Sequence, residues 1–353
     1  MSLILTTGGL GFIGSHTCIS LLKNGFDILI IDSLVISSLE NLEKIKLIKD
    51  KDNESRKGKI YFCEGDLRNI TWLDEIFKKQ YSKNQPIESV IHFAGLKSVE
   101  ESVSNPIKYW DVNINSLLCL LKVMNKYNCK TIVFSSSATI YKPSNNQKLT
   151  EESLKLPINP YGNSKLTIEK ILNDLYKSDN SWRIINLRYF NPVGAHKTGL
   201  LGENPKGLPT NLFPIISKVV LGKLEKLSIF GNDCPTKDGT CIRDYIHVMD
   251  LAEAHYAALS FLKKNKNQII SLNIGTGNGY SVLEIVQTFS KVNKIRLPFE
   301  FKNRRKGDAP YIVADNSLAL KTLDWKPFRS IEDICIDSFN FTQKQLNELP
   351  NRN

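Results

Sequence analysis

Three residues near the middle of the chain have the chemistry to move a proton together. Ser137 ends the run VFSSS, and Tyr161 and Lys165 stand in NPYGNSK. Four positions apart and just past Pro160, Tyr161 and Lys165 share one face of a helix opened by that proline. A free phenol has a pKa of about 10, too high for a base at neutral pH, but an adjacent ammonium favours the phenolate. Ser137, at the tip of a strand, adds a hydroxyl to hold the reacting oxygen and pass its proton. The set suits removal of a proton from an alcohol while a hydride leaves the same carbon. In isolation, a Tyr on the core beside a solvated Lys is the commoner arrangement. The rest of the chain decides between the two.

A departing hydride needs an acceptor, and the N-terminal segment is built to hold one. LILTT (residues 3–7) reads as a strand, and TGGLGFIG leads from it into a helix that carries Ile13, Cys18, Ile19, Leu21 and Leu22. Gly8, Gly11 and Gly14 permit a tight turn and close backbone approach to a pyrophosphate, which the helix N–H groups then hold. The next strand, FDILIID (residues 26–32), ends in Asp32, 18 residues after Gly14. A carboxylate there accepts hydrogen bonds from the adenosine ribose. It repels a 2′-phosphate, and Ser33 beside it supplies no cation, so the cofactor expected is NAD. Later strand ends add Asp66 and Leu67, then Phe93, Ala94, Gly95 and Lys97, then Ser135, Ser136 and Ser137. Ligands of open α/β sheets bind at such carboxyl ends.

These residues need a frame, and the chain alternates strand and helix to give one. KIYFCEGDL (59–67), SVIHFAG (89–95), KTIVFSSSATIY and WRIINLRYFNP read as strands; TWLDEIFKKQY, residues 111–127 and the segment from Tyr161 read as helices. That order predicts βαβ units and a doubly wound parallel sheet buried on both faces. After about residue 190 Gly, Pro and Asn become frequent (NPVGAHKTGLLGENPKGLPTN), and strands such as KLSIFG come in mixed order. A chain of 353 residues exceeds what one core usually supports. The expected division is a Rossmann domain over 1–188 and a smaller mixed α/β substrate domain over 189–345, with about 240–262 packing back on the first.

Other function classes lose support. The net charge of +11 is spread as Lys among Asn and Glu, without a basic stripe interleaved with aromatics, so no nucleic-acid partner is expected. No apolar run reaches the 18 residues of a membrane span, and MSLILTTGG lacks a basic leader region. Seven scattered cysteines form no CxxC, and five histidines form no HxxxH, so neither a disulfide framework nor a metal site is expected. The protein reads as cytoplasmic.

TGGLGFIG, the strand-end serines and the Tyr161–Lys165 pair resemble the extended short-chain dehydrogenase/reductases. IHFAGLKSVEESV, VFSSSATIYK, LRYFNPVGAH, IFGNDCPTKDGTCIRDYIHVMDLAEAH and RRKGDAP narrow the resemblance to the UDP-glucose 4-epimerase family, from Leu3 to beyond Trp325. The resemblance implies a tightly held NAD, UDP-hexose substrates and a homodimer. It adds Phe12, Ile13, Asn113 and Phe190 to the cofactor contacts, beside Ser33, Ser135, Tyr161 and Lys165. It gives the sugar nucleotide to Lys97, Ser137, Tyr161, Asn191, Asn211, Leu212, Phe230, Arg243, Arg305, Asp308 and Ile312. Ser33, Ile36 and Val112 depart from the family's usual residues. In the implied reaction Tyr161 takes the proton of the sugar 4-hydroxyl while C4 gives up hydride. The 4-keto sugar then turns, and the hydride returns to its other face. Ile312, five residues after Gly307, borders the 2-position of the hexose and is expected to disfavour N-acetylated sugars. A 4,6-dehydratase would need an acidic pair where Ala138 and Thr139 stand, and a non-catalytic NAD-binding regulator would not need Ser137, Tyr161 and Lys165 together.

Overall fold

A computed structural model describes residues 2–51, 58–143, 147–207, 209–305 and 308–347; Gly307, from which Ile312 is counted, lies outside them. Seven strands form one parallel sheet: β1 (Leu3–Thr7), β2 (Asp27–Asp32), β3 (Ile60–Glu64), β4 (Ile87–His92), β5 (Thr131–Ser137), β6 (Arg183–Tyr189) and, much later in the chain, β11 (Ile269–Ile274). Their spatial order is β11-β6-β5-β4-β1-β2-β3, so the winding reverses between β1 and β4. Crevices at such reversals are where ligands of this architecture bind.

The strands are nearly continuous apolar runs because both faces are covered. Side chains alternate across the sheet. Ile4, Ile28, Ile30, Ile91, Val133 and Ile185 pack against α1 (Phe12–Lys23), α2 (Glu40–Lys51) and α9 (Val248–Lys264). Leu3, Leu5, Leu29, Ile31, Val90 and Phe134 face α3 (Ile70–Ser82), α6 (Ser116–Lys126) and α7 (Pro160–Ser178). Two short helices, α4 (Val99–Ser104) and α5 (Pro106–Trp110), precede a π-turn over Asp111–Asn115. The segment 111–127 is therefore helical, as its apolar face predicts, but its first turn is widened.

The second unit gathers α8 (Leu212–Val220), α10 (Val282–Val292) and α12 (Ile331–Asn347) around Phe213, Ile216, Leu227, Phe289, Ile334 and Cys335. Its strands form small sheets: β7 (Asn191–Val193) with β10 (Tyr245–His247), β8 (Leu227–Phe230) with β13 (Phe299–Lys302), and β9 (Ile242–Arg243) between β12 (Tyr280–Ser281) and β14 (Tyr311–Ile312). α11 (Ser317–Leu323) follows β14. The return to the first layer is longer than 240–262: α9 packs with α1, and β11 extends the sheet beyond β6. We propose a unit boundary near 188/189 with residues 248–274 counted in the first unit. All seven cysteines are free thiols, and among the described residues no helix is long and apolar enough to cross a membrane.

Candidate active site

At the end of β1 the chain turns so tightly that side chains do not fit. Gly8 has φ +68°, and a Cβ there would lie 2.7 Å from the amide nitrogen of Ala94; a Cβ on Gly14 would lie 2.5 Å from the Gly8 carbonyl. α1 begins here with Gly11 as N-cap and no acidic residue in its first turn, which leaves the helix terminus suited to an anion. Phe12 and Ile13 open that helix. Asp32 ties the turn to the loop after β2. Its Oδ2 accepts from Leu10 N at 3.0 Å, and its Oδ1 accepts from Leu34 N at 3.0 Å and Ser37 Oγ at 2.7 Å. A carboxylate has about four acceptor positions, so room remains for a ribose hydroxyl. Ser33 is exposed beside it. Ser37 escaped the sequence reading; a serine five residues past the strand end carries no distinctive signal.

Across the reversal, β5 and α7 bring the proton-moving set together. Asn159 caps α7 by accepting from Gly162 N at 2.8 Å, and Pro160 takes the first helical position. A Cβ on Gly162 would lie 2.6 Å from the Thr139 carbonyl, so the helix start is pressed onto the turn after Ser137. The Ser137 hydroxyl lies close enough to the Tyr161 phenol to favour its ionised form. Lys165 is buried, donates to the Ser135 carbonyl at 2.7 Å, and lies 5.8 Å from the Tyr161 ring centre. Burial lowers the Lys165 pKa to about 8. Burial also raises the Tyr161 phenol, against the lowering pull of the Ser137 hydroxyl. The Lys165 ammonium also lies over the ring of Phe134, 4.9 Å away.

A buried network holds this helix to the sheet. Glu169, one turn beyond Lys165 on the same face, receives Arg188 Nη2 at 2.7 Å, Arg188 Nε at 3.0 Å and Ser136 Oγ at 2.5 Å. Arg188 Nη1 also donates to the Tyr141 hydroxyl at 2.7 Å, which donates to Asn273 Oδ1 at 2.7 Å. The network spans β5, β6, β11 and α7 and underlies Ser137. The sequence offered a hint in Glu169, a carboxylate four residues after Lys165 beside the apolar Ile168 and Leu172.

Other cofactor candidates have partners within the chain. Asn113, on the π-turn, accepts from Leu96 N at 2.8 Å and donates to Ser164 Oγ at 3.1 Å, joining the loop after β4 to α7. Asp66 is gripped by Arg68, with Nη2 at 2.6 Å, while Leu67 is buried beside it. Phe93 packs tilted against His255 at 4.8 Å between ring centres, and the backbone of Ala94 lies against Gly8. Gly95, at φ +153°, lies beside the Asn113 amide. Ser135 and Phe190 are buried at the ends of β5 and β6. Lys97 Nζ pairs with Glu203 at 2.6 Å.

The substrate candidates largely converge. Arg243 on β9 is the register partner of Ile312 on β14. Asp308 stands between Arg305 at 2.9 Å and Arg243 at 3.7 Å, and Arg243 Nη1 donates to the Ala309 carbonyl at 2.8 Å. The Arg305 guanidinium lies 4.7 Å from the Phe230 ring centre. Ile312 packs in one cluster with Ala138 and Phe190, at the turn after Ser137. Asn191 donates its backbone N–H to the Asp244 carbonyl at 3.0 Å. Asn211 and Leu212 open α8 on the far side, where Asn211 Nδ2 donates to Glu203 at 3.2 Å. Asp244 was not anticipated. It is fully buried and accepts from Thr276 N, Thr276 Oγ1, Gly277 N and Ala314 N, which fixes β14 beside Arg243.

Comparison with known proteins agrees with this geometry. A family model described as GDP-mannose 4,6 dehydratase matches residues 5–338. The UDP-glucose 4-epimerase of Bacillus subtilis (strain 168) is 47% identical over 344 residues, covering 98% of this chain and 98% of that protein. The chain belongs to the UDP-glucose 4-epimerase family. Two solved epimerase structures share its fold. The UDP-glucose 4-epimerase of Stenotrophomonas maltophila, with bound NAD and formylated UDP-arabinopyranose, has a TM-score of 0.92 at 40% identity and covers 98% of this chain and 99% of its own. The UDP-glucose 4-epimerase of Bifidobacterium longum, in complex with NAD+ and UDP, has a TM-score of 0.90 at 44% identity with the same coverage. This epimerase-family chain thus carries Ser137, Tyr161 and Lys165 on a sheet shared with NAD-bound relatives.

Proposed function

We propose that this protein interconverts UDP-glucose and UDP-galactose by transient oxidation at C4, with NAD as a resident cofactor. The observation that carries the reading is the gathering of Ser137, Tyr161 and Lys165 at the end of β5 and the start of α7, across the sheet reversal from the Gly8–Gly14 turn. The turn fits a pyrophosphate because Gly8 and Gly14 let the backbone of the turn, the loop after β4 and α1 close up without side chains and present the N-terminus of α1 to an anion, and Asp32 fits an unphosphorylated ribose. Lys165 would hold the nicotinamide ribose. When bound, NAD would supply the hydride acceptor and a positive ring that, with the Lys165 ammonium, favours the Tyr161 phenolate.

Tyr161 takes the proton from the sugar 4-hydroxyl, and Ser137 holds that oxygen through the transfer. Arg243 and Arg305 hold the diphosphate, as guanidinium groups do in bidentate fashion, with Phe230 and Leu212 as walls for the nucleotide. The 4-keto sugar turns while the diphosphate stays fixed, so that hydride returns to the other face of C4 and Tyr161 gives its proton back to the 4-oxygen. Dehydration, the activity in the family model's description, has less support: after Ser137 come Ala138 and Thr139, and the Thr139 hydroxyl donates to Ser137 Oγ at 3.0 Å. The test is incubation with UDP-galactose alone. UDP-glucose should form with no nicotinamide nucleotide added or consumed; absence of UDP-glucose would overturn the reading.

Ile312 should set the sugar's size. Tyr311 and Ile312 point to opposite faces of β14, with Tyr311 toward Gly279 and Ile312 toward Ala138 and Phe190. The stiff β-branched side chain crowds the sugar and offers an acetamido group no hydrogen bond. Shape discrimination of this kind is worth about 1–3 kcal/mol, so kcat/KM should favour UDP-galactose over UDP-N-acetylgalactosamine by about 10–200-fold. Equal values would show that Ile312 does not border the pocket.

The protein is further proposed to act as a homodimer in the cytoplasm. Exposed Val99, Val103, Ile107 and Trp110 on α4 and α5 support self-association. Seven free thiols fit a reducing compartment.

A further inference from the structure

We infer that residues 203–206 form a strap across the mouth of the cofactor cradle, and that Glu203 and Lys206 hold it shut as positioning residues for the dinucleotide. The inference rests on the proposed NAD site. In the sheet, β4 and β2 flank β1, whose carboxyl end carries the glycine turn. The segment 203–206 lies in the loop between β7 and α8, yet it is tied to the loops after both flanking strands. Glu203 Oε1 accepts from Lys97 Nζ at 2.6 Å, five residues past the end of β4. Lys206 Nζ donates to the Leu34 carbonyl at 2.8 Å, two residues past Asp32.

The lengths agree. β4 and β2 are two strand spacings apart, about 10 Å. Four extended residues span at most about 13–14 Å, so 203–206 can bridge the flanking loops directly over β1. Pro205 keeps Asn204 out of the helical region and the segment extended.

The two ends differ in strength. The Glu203 side chain is 9% exposed and its Oε1 also accepts from Asn211 Nδ2 at 3.2 Å, so it joins the cofactor side of the cleft to the start of α8. A buried carboxylate with two donors is a persistent anchor. Lys206 is exposed, and a bond from an exposed ammonium is weaker and readily exchanged with water. The Lys206 end is therefore the one that opens.

Such a strap has a purpose in a reaction without net redox. Each turnover removes a hydride from C4 and puts it back, so a cofactor lost between the two halves leaves a chain that cannot finish. Slow release keeps the cycle closed.

The test uses full-length protein and measures the nucleotide, not turnover. Parent, Lys206→Met, Lys206→Arg and the double variant Glu203→Gln/Lys206→Met are purified, and nucleotide release is followed by gel filtration and identification of the released species. Lys206→Met should release NAD about threefold faster than the parent, as loss of one exposed contact allows. The double variant should release it at least about tenfold faster, because a charge-assisted hydrogen bond is also lost. Lys206→Arg should match the parent. Lys206 is a surface side chain, so its variants are expected to fold even where the double variant does not, and their release rates then decide the matter. Release by Lys206→Met and the double variant within twofold of the parent would overturn the strap. Recovery of NADP, or of no nucleotide, from the parent would overturn the NAD reading on which the strap rests.

Discussion

Tyr161→Phe should lower kcat by about 10²–10⁴-fold, the usual contribution of a positioned general base. The ring and its packing are kept, and only the hydroxyl that meets Ser137 is removed. Ser137 still accepts from Thr139 N at 3.2 Å and Thr139 Oγ1 at 3.0 Å, so its position does not depend on the phenol. Lys165 keeps its bond to the Ser135 carbonyl. Folding and nucleotide content should therefore be unchanged while turnover collapses. Steady-state kcat and the nucleotide released on denaturation check both halves of this expectation. A variant that epimerises at near the parent rate would show that the proton goes elsewhere.

Glu169→Ala should cost the largest share of stability, about 3–5 kcal/mol, because it leaves a buried guanidinium without its carboxylate. The Arg188 and Glu169 side chains are 4% and 7% exposed. Arg188 would keep the Tyr141 hydroxyl and the Glu151 carbonyl, at 2.7 and 3.1 Å, but neither carries charge. Ser136 would also lose its acceptor. Because α7 carries Tyr161 and Lys165 on the face that Glu169 pins, activity should fall along with stability. Glu169→Gln, which keeps the shape and one acceptor, should lie between the two. Denaturant midpoints measure the difference, and a Glu169→Ala curve that overlays the parent would show that the network does not hold the helix.

What the sequence made legible follows from local rules. The Tyr161–Lys165 spacing, the Pro160 start and the alternation of apolar strands with amphipathic helices each depend on residues a few positions apart. The glycine turn is equally local: Gly8 must adopt a positive φ, and Gly14 must let α1 approach the Gly8 carbonyl. The hidden parts are contacts between distant segments. Glu203 meets Lys97 across 106 positions, and Asp244 meets Thr276 and Ala314 across 32 and 70. Nothing in a GENPKG loop or an RDY triplet states where its carboxylate will point. The π-turn at Asp111–Asn115 was hidden in another way, because its side chains keep helical periodicity while the widened turn aims Asn113 at Leu96 and Ser164. The burial of Tyr161 and Lys165, which shifts both groups, was also beyond reach, since it depends on segments far apart in the chain.

The central claim is that one C4 hydrogen leaves the sugar and returns to it inside a single site. UDP-galactose carrying deuterium at C4, incubated with the purified protein in ordinary water without added nicotinamide nucleotide, tests this directly by mass and NMR analysis of the product. The account predicts UDP-glucose that retains its deuterium at C4. Formation of UDP-glucose with C4 hydrogen drawn from solvent, or no UDP-glucose at all, would contradict it.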